Sequence, residues 1–205
     1  MTASLWDPGS VTAIAESAEA AAVCSACGEL RRLDLDPRLF RHGDPDRLAS
    51  NILEAADNAA ANAAELAFAA GREFLPATAR PDTVDFSLDP LLRELDRLIA
   101  DGEPPGDDDP ALPKLAAGID YQAVRRNLAA VRERLPDLRT TAESADGLMS
   151  ATVDGRGRLV DLWLHERVLR VTDAKALAAR VRATVNEASR AAHDRQRVLV
   201  ERAWE

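Results

Sequence analysis

Aromatic side chains are scarce in this protein, at 4% of its residues, although hydrophobic residues reach 46%. An interior with so few rings must be built mainly from Ala, Leu and Val, which favours close-packed helices over a thick β-sandwich. Long apolar runs are absent too. No stretch reaches the roughly 18 residues of a membrane span, and MTASLWDPGS lacks the basic region and apolar core of a secretory signal. Both absences predict a soluble cytoplasmic protein with no membrane partner. Catalytic signatures are equally missing: no Gly-rich phosphate loop, G-x-S-x-G or H-E-x-x-H occurs. We therefore expect no enzyme and assign no catalytic residue.

Cysteine is limited to Cys24 and Cys27, in CSAC. A tetrahedral zinc site needs four ligands, and His42, His165 and His193 lack the spacing to complete one. A redox pair needs a helix N-terminus to lower the thiol pKa, whereas this pair falls in an expected hairpin. Both thiols read as structural or incidental, and no metal or cofactor is expected. The acidic run Asp107, Asp108, Asp109 reads as solvated linker.

What the chain does contain is a repeat. GELRRLDLDPRLFRHGD at 28–44 returns as GRLVDLWLHERVLRVTD at 157–173, an offset of 129. Extended to 28–63 and 157–192 without a gap, the two copies share 11 of 36 residues, at turn, strand and cap positions. The identities include Gly28/Gly157, Leu33/Leu162, Leu35/Leu164 and Asp44/Asp173. Charge is divided unevenly between the copies. The net charge is −9 overall, but residues 118–205 carry 16 basic and 13 acidic side chains, and residues 1–117 carry 10 and 22. The second half could accept a polyanion; the first would repel one.

Each copy predicts strands followed by a long helix. LMSATV, the turn DGRG and LVDLWL form a hairpin pattern, with Val160, Leu162 and Leu164 expected on one strand face. Asp44 and Asp173 stand where helix N-caps belong, and Pro45 takes the favoured first position. Apolar residues at helical spacing predict helices over 45–75 and from 174 toward 205, each roughly 45 Å long at 1.5 Å per residue. IDYQAVRRNLAAVRERL predicts a helix leading the second copy over about 119–135. The first copy has no room for one. A short amphipathic helix at 88–102, between PATARPDT and DGEPPGDDDPALPK, is a candidate to stand in for it. The expected organisation is a degenerate repeat over 1–75, a Pro- and Asp-rich linker over 76–117, and a full repeat over 118–205.

SADGLMSATVDGRGRLVDLWLHERVL followed by TDAKALAARVRATVNEASRAA resembles the YbaB/EbfC family of bacterial nucleoid-associated proteins. GELRRLDLDPRLF matches the family's strand and Asp-Pro segment, and EAADNAAANA takes the place of the helix element. The resemblance implies an α+β fold with a three-stranded antiparallel sheet and long protruding helices, forming a dimer that binds DNA. Doubled in one chain, it implies an intramolecular pseudo-dimer, and further homo-oligomers remain open. This sequence departs from the family in its doubling, in the missing leading helix and in the acidity of the first copy.

Phosphate recognition calls for cations on accessible surfaces. The candidates are Arg125, Arg126, Arg132 and Arg134 on the leading helix, Arg139 in the next strand, and Arg180, Arg182, Arg190, Arg195, Arg197 and Arg202 on the terminal helix. The competing reading is a solvated helix face ion-paired to Glu133, Glu187, Asp194 and Glu201. Trp163, Leu162 and Leu33 are candidates for a dimer or pseudo-dimer contact. Two functions follow as expectations: double-stranded DNA binding with weak sequence preference, and a protein-interaction adaptor that kept the fold.

Overall fold

A computed structural model describes residues 6–38, 43–101, 120–170 and 173–204. Asp107–Asp109, most of DGEPPGDDDPALPK, and Phe40, Arg41 and His42 of the repeated stretch lie outside them.

The repeat in sequence is a repeat in space. Strands β1 (Thr12–Glu16), β2 (Ala20–Ser25) and β3 (Leu30–Leu35) form one antiparallel sheet in chain order. Strands β4 (Arg139–Glu143), β5 (Met149–Asp154) and β6 (Leu159–Leu164) form a second with the same order. Both sheets carry an irregularity at the equivalent place, between Val23 and Cys24 and between Thr152 and Val153. That shift revises one expectation. Val160 does not join Leu162 and Leu164 on the buried face; Leu159 does, as Leu30 joins Leu33 and Leu35. One displaced residue breaks the strict alternation of an extended strand.

Each sheet feeds a long helix, α1 (Pro45–Ala70) and α4 (Ala174–Ala203). Their caps form as the sequence predicts: the Asp44 carboxylate accepts the Asp46 N–H, and the Asp173 carboxylate accepts the Lys175 N–H, both at 2.9 Å. Helix α1 ends before Leu75. It stops at Gly71, beside the Trp6 indole, and a single 3-10 turn (Arg72–Phe74) follows. Trp6 stacks on Phe74 and meets Phe86 edge-on, with ring centroids 5.6 and 5.7 Å apart.

The long helices exchange partners. Helix α1 packs on β1 and β2 of its own unit and crosses to β6; helix α4 packs on β4 and β5 and crosses to β3. One core therefore spans both units, with Leu30, Leu33, Leu48 and Ile52 from the first and Met149, Leu162, Leu177 and Val181 from the second. Ala residues along both helices (Ala55, Ala59, Ala188, Ala192) let helix and sheet backbones approach closely. At the junction the two turn glycines meet. Gly28 and Gly157 both adopt φ of +82°, and a Cβ on Gly28 would lie 3.0 Å from the Gly157 carbonyl. Only glycine suits both the backbone conformation and the approach.

Leu33 and Leu162 thus lie inside the shared core. Trp163 stands outside it: strand alternation turns it away from Leu162 and Leu164, so it is 45% exposed with its ring edge-on to His165.

Helices α2 (Asp89–Asp101) and α3 (Tyr121–Arg134) complete the structure. Leu88, Leu92 and Leu95 pack against Val124, Leu128 and Leu135 of the second unit. Helix α2 accordingly does not replace a leading helix on the first unit. The end of α1 is covered by Trp6, Leu75, Ala79, Val84 and Phe86, so much of the expected linker is packed.

Candidate nucleic-acid interface

The arginines sort by what holds them. Arg125 pairs with Asp96 of α2, and Arg132 pairs with Asp89 at the start of the same helix. The Asp89 carboxyl is almost wholly buried and also accepts the Asp85 N–H at 2.9 Å. The hydrogen bonds that they donate to Asp96 and Asp89 hold both guanidinium groups above their ordinary pKa. Arg180 pairs with Asp146, whose own pKa is lowered chiefly by the Ser144 hydroxyl. Arg197 pairs with Asp194 at 3.1 Å.

Four other candidates donate to neutral acceptors and keep an unneutralised charge. Arg182 donates to the Arg31 carbonyl of the first unit at 3.0 Å, and Arg190 to the Asn186 carbonyl at 3.2 Å. Arg195 donates to the Arg139 carbonyl at 3.0 Å and the Thr140 hydroxyl at 3.3 Å, and Arg139 donates to the Leu138 carbonyl at 3.0 Å. Arg126, Arg134 and Arg202 are exposed and have no hydrogen-bond or ion-pair partner among the described residues. The fold brings Arg134, Arg139, Arg195 and Arg202 together where the end of α3 and the start of β4 lie beside α4. Arg125, Arg132, Arg180 and Arg197 are each tied to a carboxylate. Of the acidic partners expected from the sequence, only Asp194 pairs among the described residues, with Arg197; the other ion-paired arginines meet Asp96, Asp89 and Asp146 instead of Glu133, Glu187 or Glu201.

Two groups escaped the sequence reading. Asn186, in ATVNEAS, accepts the Leu30 N–H at 3.1 Å and returns a bond to the Leu30 carbonyl at 3.0 Å. It clamps the irregular end of β3 from the other unit. Its repeat counterpart is Asp57, which cannot donate. The second group is Arg156, in the DGRG turn. It lines a small polar cavity of about 20 Å³ with Cys27, Asp85, His193 and Gln196. Asp85 is held there by the Ser87 and Leu88 N–H groups and the Gln196 amide. Burial pushes Asp85 above the usual carboxylate range and lowers Arg156. A space of this size holds one water-sized sphere, which excludes a nucleotide or sugar.

Burial also pushes the Cys24 thiol up to about 12 and Cys27 to about 11. Both cysteines are free, and the described residues bring no three His, Cys, Asp or Glu side chains together as metal ligands. No helix among them is long and apolar enough to cross a membrane.

The class defined by this architecture is an α+β protein of two similar sheet-and-helix units that share one core. Residues 118–203 match the model of the YbaB/EbfC DNA-binding family. Among solved structures, the chain is similar to an uncharacterized protein of Helicobacter pylori. The two are 23% identical over 38% of this chain and 90% of the other, with a TM-score of 0.33. No curated protein matches the chain.

Proposed function

We propose that this protein is a non-enzymatic, nucleoid-associated DNA-binding protein of the cytoplasm, built from repeats over 1–75 and 118–205 joined by 76–117. It contacts the phosphate backbone of double-stranded DNA through the arginines that carry no carboxylate partner. The observation that carries the reading is the family match over 118–203, which coincides with the half of the chain that is net positive. Arg126, Arg134, Arg139, Arg182, Arg190, Arg195 and Arg202 are the contacts we assign. Base edges need side chains placed in a groove, whereas these cations suit phosphate, so binding is weakly sequence-dependent and salt-sensitive.

Fluorescence anisotropy with a labelled duplex tests it. Affinity should fall steeply between about 50 and about 200 mM salt, and Arg126→Glu with Arg134→Glu should weaken it at least tenfold without changing the fold. No binding at tens of micromolar protein in low salt would sink the reading. A second reading, a protein-interaction adaptor, is favoured by the carboxylates of α2 that occupy Arg125 and Arg132. Its mark would be a stoichiometric protein partner that survives nuclease treatment.

A further inference from the structure

Strand β1 is an edge of its sheet, and the hydrogen bonds just beyond its two ends fix which of its backbone groups are free. The Val11 carbonyl accepts the Ala26 N–H at 3.0 Å, and the Ser17 N–H donates to the Ala20 carbonyl at 2.8 Å. Backbone groups alternate sides along an extended strand, so Ala13 and Ala15 also turn theirs to β2. Thr12, Ile14 and Glu16 turn theirs outward. All three residues are exposed, Ile14 at 57%, and no second strand pairs with them among the described residues. Such a row of free N–H and C=O groups is a template for another strand.

The second unit guards the corresponding edge. The Ser144 N–H donates to the Met149 carbonyl at 2.9 Å, which sets the same alternation on β4 and turns Arg139, Thr141 and Glu143 outward. There Arg195 of α4 donates to the Arg139 carbonyl at 3.0 Å. At the repeat offset of 129, the α1 residue that answers to Arg195 is Leu66, which has no donor. Edge strand β3 is held as well, by Asn186 at the N–H and carbonyl of Leu30 and by Arg182 at the carbonyl of Arg31. The outward groups of β1 have no such side-chain partner among the described residues.

We propose that β1 pairs with β1 of a second copy of this chain across a two-fold axis, antiparallel and centred on Ile14. The two three-stranded sheets then join into one of six strands. In this register Ile14 exchanges both hydrogen bonds with its counterpart and Thr12 exchanges them with Glu16, so every outward group finds a partner. Each Glu16 faces a Thr12, and no like charges are opposed. Ile14 lies beside Val23 of β2 on the same sheet face. Pairing therefore sets Val23, Ile14 and their counterparts in one apolar row and covers the exposed Ile14. The contact is isologous, so it uses the open edge of both copies and closes at two. It needs no nucleic acid and stands independently of the DNA-binding reading.

Sedimentation of the full chain without DNA, read together with amide hydrogen exchange, tests it. The weight-average mass should rise with concentration from 22.1 kDa toward that of two copies and stop there. As it rises, the N–H groups of Ile14 and Glu16 should exchange more slowly, whereas those of Ala13 and Ala15, bonded to β2, should be protected in the single chain too. Ile14→Lys and Ile14→Glu, at an exposed position, should each weaken self-association at least tenfold, because like charges then face each other across the axis. Mixed in equal amounts, the two variants should form a heterodimer, which also shows that both are folded. A wild-type chain that stays at 22.1 kDa up to millimolar concentration overturns the proposal. So does a mass that passes two copies, or a mixture of the variants that does not associate. A dimer whose Ile14 and Glu16 amides exchange as fast as in the single chain assigns the contact to another surface and overturns it equally.

Discussion

Single residues decide how tightly the two units are joined. Asn186 satisfies both the N–H and the carbonyl of Leu30, on an edge strand of its sheet. Replacing it with Asp keeps its size but removes the donor, leaving the Leu30 carbonyl unmatched in a half-buried site. A cost of about 1–3 kcal/mol is expected from the midpoint of urea unfolding. Asp85 acts through pH. Its surroundings (Arg156, Asp89, Gln196 and two backbone N–H groups) leave burial dominant, so the folded chain favours the neutral carboxyl. Ionisation then opposes folding: the penalty is absent below the ordinary Asp range near about 3.9 and complete above the raised folded pKa. Stability should fall across that window in the wild type, and Asp85→Asn should flatten the decline, read as unfolding midpoints against pH. The thiols at about 12 and 11 should resist alkylation at mildly alkaline pH in the folded chain and react once it is unfolded. Caps were legible at this scale because Asp44 and Asp173 act on N–H groups two residues away. Asn186 was not, because its partner lies 156 residues distant.

At the scale of elements, helix α2 occupies Arg125 and Arg132 with its carboxylates. Its amphipathic pattern was readable, and its place was not. Periodicity says that Leu88, Leu92 and Leu95 share a face, but which hydrophobic face they cover depends on the path of the chain. The structure puts them on α3, and Asp89 and Asp96 come with them. The Asp96 pair is solvated on both sides and contributes little to stability. Asp96→Asn should therefore leave the melting temperature nearly unchanged while freeing Arg125, strengthening duplex binding and steepening its salt slope by about one contact. Unchanged affinity would place Arg125 away from the DNA path. Val160 carries the same lesson within a strand: alternation was read correctly on either side of the irregularity and failed across it.

The whole molecule is two similar units interlocked within one chain. Because α1 crosses to β6 and α4 crosses to β3, neither unit closes its core alone. A fragment of residues 118–205 would expose Leu162, Leu177 and Val181, each fully buried side chain worth about 1.5–3 kcal/mol. Two such fragments can cover each other, with β6 of each in the place of β3. The fragment should thus sediment as a homodimer, and a stably folded monomer would show that the core is not shared in solution. The sequence alone determined what depends on near neighbours and on composition: strand and helix periods, turn glycines, the acidic caps, and a repeat that points to two related units. Tertiary structure alone decided which arginines keep a free charge, where α2 rests and how the units interlock. Those outcomes turn on pairings across long stretches of chain, and a local pattern of residues contains no term for the distance between groups that only folding brings together.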